Sequence, residues 1–260
     1  MSESSLSIGY EDLLKEVGGF LGYGVDGLRL DPEKLNEVDR YVQSGIRQFY
    51  YPPAIQGVEV GYQWSFMKPS GQLTTVADQE SNDLPDNFGN MVGMAIYYPQ
   101  DNFHAPIALV SVGQIMARKS VDSLAGAPSM ACVQFKSSEG DDGQRSEVVW
   151  WRVPDAEYTL DYVYNAYAGK ITEDNPYPLG GMRFAEVITE SCLAIAEQRA
   201  NDTRGLHTES FMTLLASAIE IDRKSSAKFY GQMGGAEISV KGSRRNFGET
   251  YPITYKGDTW

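Results

Sequence analysis

The sequence predicts an α+β protein: a helical bundle built from N- and C-terminal helix pairs, with a central β-rich insertion and an extended C-terminal arm. Three observations predict it. Apolar residues recur at helical spacing near both ends, they alternate with polar residues in the middle, and periodicity vanishes after Gly231. Helices with one apolar stripe cannot bury it alone, so the two terminal pairs are expected to pack together. The corresponding divisions are 1–56 for the first helix pair, 57–180 for the β-rich segment, 181–230 for the second pair and 231–260 for the arm.

The first helix is expected over Tyr10–Leu21, where Leu13, Leu14, Val17, Phe20 and Leu21 form one stripe and Gly22 and Gly24 stop it. The second starts with Asp31 as a cap and Pro32 in the first helical position. It carries Leu35, Val38, Val42, Ile46 and Phe49 and ends at Tyr51-Pro52-Pro53, because proline disfavours helix in the residue before it. The period then becomes two: Val58, Val60, Tyr62, Trp64 and Phe66 read as a half-buried strand, Ser70-Gly71 as a turn and Leu73–Val76 as the returning strand. Ser111 can cap a short helix over Val112–Lys119. A three-stranded meander is expected from Met130–Lys136, Glu147–Val153 and Tyr158–Tyr167, joined by a Gly140-Asp141-Asp142-Gly143 turn and a Pro154-Asp155 turn. Its last strand sets Tyr158, Leu160, Tyr162 and Tyr164 on one face and Thr159, Asp161 and Asn165 on the other. Helical spacing returns at Phe184, Val187, Ile188, Cys192 and Ile195, ending near Asn201, and again from about Thr208 to Tyr230 through Phe211, Leu214, Leu215, Ala218 and Ile219.

The 260 residues carry 35 acidic and 22 basic side chains, a net charge of −13. A chain so acidic repels phosphate and is not expected to wrap nucleic acid. No apolar run approaches the length of a membrane span, and the opening MSESSLSIGYEDLL has no secretory signal pattern, so no membrane partner is expected. The charge is uneven. Residues 221–260 hold seven basic residues (Arg223, Lys224, Lys228, Lys241, Arg244, Arg245 and Lys256) against four acidic ones. A basic, glycine-rich arm bearing Phe247, Tyr251, Ile253, Tyr255 and Trp260 suits docking on an acidic surface of another protein better than free solvation.

No motif of nucleophilic, phosphate-binding or zinc chemistry occurs, and no catalytic, metal or cofactor residue is expected. Cys132 and Cys192 sit at apolar positions of a strand and a helix and read as core thiols; they form neither a disulfide framework nor a metal-ligand pattern. His207 precedes a helix start, and His104 lies in a loop and reads as a surface residue. The pairs Asp141/Asp142 and Glu173/Asp174 offer acid–base or calcium chemistry only on paper, since aspartates between glycines commonly serve a turn. Trp150, Trp151, Tyr158, Tyr162 and Tyr164 are compatible with a sugar-stacking platform, the alternative function, but cross-strand packing explains them more simply.

Taken together, Asp12-Leu13-Leu14 with Val17-Gly18 and Leu21-Gly22-Tyr23-Gly24, then Ser44-Gly45-Ile46-Arg47-Gln48-Phe49-Tyr50-Tyr51-Pro52-Pro53, resemble the start of a tailed-bacteriophage head–tail connector protein, the adaptor ring beneath the portal. Trp64-Ser65-Phe66, Leu84-Pro85-Asp86-Asn87-Phe88, Gly126-Ala127-Pro128 and Trp151-Arg152-Val153-Pro154-Asp155-Ala156-Glu157-Tyr158-Thr159-Leu160 continue the resemblance through most of the chain. It implies a homo-oligomeric ring of about a dozen copies, a virion location in the neck after assembly in the host cytoplasm, and contacts with the portal and with tail-side neck or tail proteins. Genomic DNA would pass through the lumen without specific binding. The arm would reach the portal through Lys241, Arg244, Arg245, Phe247, Tyr251, Ile253, Tyr255 and Trp260. Shorter adaptors lack the central β segment, and a stopper or another neck component is the neighbouring possibility.

Overall fold

A computed structural model describes residues 3–54, 61–98, 104–122, 124–136, 143–225, 254–255 and 258–259. The chain divides into two units, Met1–Ser225 and Ser226–Trp260. In the second, β9 (Thr254–Tyr255) and β10 (Asp258–Thr259) pair antiparallel.

Helix α1 spans Tyr10–Phe20. The N–H of Gly9 donates to Asp12 Oδ2 at 3.0 Å, and that of Tyr10 to the Pro176 carbonyl at 2.7 Å, so its first donors are satisfied. Helix α2 spans Pro32–Tyr50 with Pro32 in its first turn, as the sequence requires. The Asp31 side chain does not cap it; that carboxylate meets Lys34 at 3.6 Å instead. Helices α4 (Ala185–Asn201) and α5 (Leu206–Ser225) follow the sheets. Helix α4 is the central one: it packs on α1, α2 and α5, and Val187, Ile188, Cys192, Leu193, Ala194 and Ala196 bury most of its circumference. Glu197 Oε2 reaches into the next connection and accepts from the N–H groups of Gly205 (3.1 Å) and Thr208 (3.3 Å), capping α5.

The strands form two sheets. Strands β1 (Ser70–Thr74), β8 (Thr159–Ala166) and β3 (Phe88–Met91) pair in the order β1-β8-β3. Strands β2 (Ser81–Asp83), β7 (Arg145–Trp151), β6 (Met130–Lys136), β5 (Ile107–Leu109) and β4 (Ala95–Ile96) pair in the order β2-β7-β6-β5-β4. Tyr97 and Asp161 exchange backbone hydrogen bonds at 2.9 and 2.8 Å, tying the end of β4 to β8. Helix α3 (Val112–Val121) lies on β6 and β7, and its Ser111 cap accepts from the Gln114 N–H.

This overturns the expected bundle with a β insertion. The fold is α+β with two sheets, one curled into a half-barrel. The physical reason lies in where the central residues go. The strands build their own core from Phe88, Ile96, Ile107, Trp150, Leu160 and Tyr162. The helical core, in turn, is completed by Trp64, Met67 and Ile171 from the central segment, so the helices do not close on themselves.

Four local expectations also need correction. Val58 and Val60 lie outside the described residues, but the rest of the supposed strand is no strand: Ser65–Met67 is a 3-10 turn. Trp64 stacks near Phe49 (4.7 Å) and Phe184 (5.3 Å), so the alternation records contact with helices rather than sheet pairing. Gly71 is not in a turn but in β1, opposite Tyr162; a Cβ there would stand 2.7 Å from the Tyr162 ring, so glycine makes room for that ring. The meander stops after two strands. Arg152, with φ of 58°, turns the chain out of the sheet, and Thr75 then captures it, its Oγ1 donating to the Ala156 carbonyl at 3.0 Å and accepting from the Tyr158 N–H at 2.9 Å. That draws β8 to β1 instead of β7. In α5, Leu214 is exposed rather than part of the apolar stripe, which runs through Phe211, Leu215, Ala218 and Ile219; residues 226–230, the expected continuation of the helix, lie outside the described residues.

Candidate functional surfaces

The expected arm residues Lys241, Arg244, Arg245, Phe247, Tyr251, Ile253 and Trp260 lie outside the described residues, and Tyr255 is known only as a member of β9, opposite Asp258. Asp141 and Asp142 are likewise outside, whereas Glu173 and Asp174 are exposed in a loop. Both cysteines are buried, and burial pushes both thiols up, which keeps them protonated and poor as nucleophiles. His207 Nδ1 meets Glu190 Oε2 at 2.9 Å and its ring stands edge-on to Phe20, while the His104 ring lies tilted against Tyr98 and edge-on to Tyr158. Among the described residues no group of three or more His, Cys, Asp and Glu is arranged to hold a metal ion, and no helix is long and apolar enough to cross a membrane.

The proposed sugar platform is mostly interior. Trp150 is fully buried in the sheet core, its Nε1 donating to Asn82 Oδ1 at 2.8 Å, and Tyr162 and Tyr164 are buried beside it. Trp151 and Tyr158 are half-buried and reach the surface. Trp151 has the more distinctive surroundings. It is flanked by two guanidinium groups, those of Arg118 and Arg152, each 5.6 Å from its ring. Sequence reasoning passed over this trio. The spacing of Arg118 on α3 is visible, but the left-handed turn at Arg152 that brings its side chain back over Trp151 has no sequence signature.

A second feature not anticipated is a cleft of about 310 Å³ between the end of α2, the segment Gly61–Trp64 and strands β3 and β8. Tyr51 and Tyr167 stand on its walls with ring centroids 6.4 Å apart. Asn165 Nδ2 donates to Gln63 Oε1 (2.7 Å) and Asn90 Oδ1 (2.8 Å), fixing the outward direction of both amide NH2 groups, while Asn165 Oδ1 is buried with no partner. Besides these amides the cleft is lined by the phenols of Tyr50, Tyr51, Tyr62 and Tyr167, so it offers amide donors, hydroxyls and aromatic faces but no carboxylate, amine, imidazole or thiol among its lining residues.

The segment Tyr62–Ser65 is held in place by one buried acid. Asp222, near the end of α5, accepts from Tyr62 Oη (2.6 Å), the Ser65 N–H (3.0 Å) and Ser65 Oγ. The carboxylate pushes the Tyr62 phenol up, after burial itself. At the other end of the helical layer, Glu37 is held below the usual carboxylate range by hydroxyls of Tyr41 and Tyr23 that donate to it.

No family model matches the chain, and no curated protein matches it.

Proposed function

We propose that this chain is a structural subunit of a tailed-bacteriophage neck: an adaptor that closes into a ring, docks on the portal and surrounds the passing DNA. The observation that carries the reading is the partition of charge between two separate units. Ser226–Trp260 holds five basic and three acidic residues, and Met1–Ser225 the remaining 17 basic and 32 acidic ones. A basic segment rich in large side chains is suited to reach an acidic neighbour, and an acidic body is suited to a conduit. Each phosphate that a lysine or arginine neutralises releases counterions and tightens binding, so a basic lumen would hold DNA where an acidic one lets it slide. The resemblance of its sequence motifs to those of portal adaptors supports the same reading. The body also presents large apolar side chains to solvent, among them Met94, Val121 and Phe135, which a subunit that meets copies of itself would cover.

The test is to mix the purified chain with the portal protein of the same virus and count subunits by mass photometry and class-averaged micrographs. A ring seated on the portal is expected. A chain that stays monomeric and ignores the portal would remove the reading.

A further inference from the structure

We infer that the groove between α3 and the five-stranded sheet is the docking surface for the acidic turn after α1 of a second copy of this chain. The inference rests on the ring reading above and assigns its subunit contact. The groove, about 370 Å³, is lined by Val110, Gln114, Ala117, Arg118, Val121 and Met130. Val121 is 86% exposed, and the neighbouring Met116 and Leu124 are each 65% exposed. Apolar side chains this open on one small helix and its exit are a surface waiting for cover.

The rim of the groove selects the occupant. Arg118 and Arg152 bracket Trp151, and neither forms an ion pair with a described carboxylate. In a unit with 17 basic and 32 acidic residues, two unpaired cations on one rim are a local inversion of sign. Arg152 is held there in a left-handed conformation, φ of 58°, that a non-glycine residue rarely adopts, and the Gly126 N–H bonded to the Val153 carbonyl at 2.8 Å keeps it in place.

The complementary surface lies on the same chain. Glu16 and Phe20 are one turn apart on α1, and Val25 and Asp26 follow in the turn. All four are exposed, Val25 at 67%, and neither Glu16 nor Asp26 has a cationic partner among the described residues. Apolar side chains flanked by acids match an apolar groove flanked by arginines. Groove and turn are different surfaces, so the contact is heterologous: each copy offers one half to the copy before it and the other half to the copy after it, and the chain of contacts closes into a ring when the rotation allows. A DNA backbone is the competing occupant. It is disfavoured because Lys119, the other cation of α3, is already paired with Glu80 at 2.6 Å, and because phosphates gain nothing from Val110, Ala117 and Val121.

The experiment is charge reversal in the full chain, read as ring assembly on the portal by mass photometry, with circular dichroism reporting the fold. Arg118→Glu with Arg152→Glu, and separately Glu16→Arg with Asp26→Arg, are each expected to weaken assembly about tenfold or more. The four changes together are expected to recover most of it. Val121→Asp, at an exposed position, is expected to weaken assembly in the same way and replaces the arginine variant should that one unfold. Wild-type rings with unaltered assembly of both charge variants would overturn the inference while leaving the ring reading intact. Absence of wild-type rings would overturn both. An arginine variant that assembles normally but no longer retains a labelled DNA duplex would give the groove to DNA and overturn the inference.

Discussion

Replacing Gly45 by alanine tests the closest approach of a described glycine to another segment's backbone. A Cβ at Gly45 on α2 would stand 2.5 Å from Cys192 Cα, 2.8 Å from Cys192 N and 2.8 Å from its Sγ on α4, where ordinary contact begins at 3.4 Å. Two of these three atoms are backbone and cannot rotate away, so the helices must part by about 1 Å. That opens a dry interface containing Val42, Ile46, Ile188 and Cys192, and loosens the bond from Ser191 Oγ to the Gly45 carbonyl, now 2.7 Å. Overpacking of this kind costs about 1–3 kcal/mol, and a rigid obstacle belongs at the upper end. Alanine returns about 1 kcal/mol in helix propensity. The balance is a loss of about 2 kcal/mol, or about 4–8 °C in Tm for a unit of this size. Gly113 on α3 is the control, because a Cβ there meets nothing within 4 Å; Gly113→Ala should gain up to about 1 kcal/mol. Urea and thermal unfolding of both variants decide the matter. A Gly45→Ala protein as stable as wild type would refute the packing of α2 on α4.

Alkaline titration should unfold the protein through its tyrosines. Burial pushes the Tyr50 phenol up to about 12 from 10, so its contribution to stability is complete below pH 10 and is lost as pH rises towards 12; at 1.36 kcal/mol per pH unit this one group accounts for about 3 kcal/mol, and pH-dependent urea midpoints should fall steeply across that window in wild type and less in Tyr50→Phe. Asp222→Asn leaves Tyr62 and Ser65 with a weaker acceptor and should cost about 1–3 kcal/mol in urea unfolding, with an unchanged midpoint counting against the network. Removing Ser226–Trp260 should leave the melting temperature of the remainder unchanged while abolishing attachment to the portal; a truncated chain that fails to fold would place that segment in the core.

The parts of this fold visible in the sequence are those fixed by local chemistry. Pro32 sets the start of α2 and Pro52-Pro53 its end, and β6 occupies Met130–Lys136 as its alternation predicts. Choice of partner is not local. Tyr62, Trp64 and Phe66 alternate like a strand because every second side chain meets the helical core, and only the absence of a paired neighbour distinguishes the two cases. Strand β8 has the correct bounds to within a residue or two and faces its tyrosines inward, but its sheet is decided by Thr75, some 80 positions upstream. Buried acids are equally silent: Asp222 is 2% exposed in a stretch that reads as a solvated helix end. The groove beside α3 combines both kinds of difficulty, since an exposed valine and two arginines become a surface only after β6, β7 and a left-handed residue have brought them together.

The net charge of −13 sets a condition that any self-assembly of this chain must satisfy. Copies repel one another at a distance, but at physiological ionic strength that field decays over about 8 Å. Groups in contact across an interface sit within that length and keep more of their attraction than the bodies keep of their repulsion. An acidic subunit with a basic, apolar recess would therefore discriminate between approaches: acidic faces would repel one another, and the recess opposite an acidic turn would attract. The same field suppresses non-specific clustering before assembly and disfavours retention of phosphate afterwards.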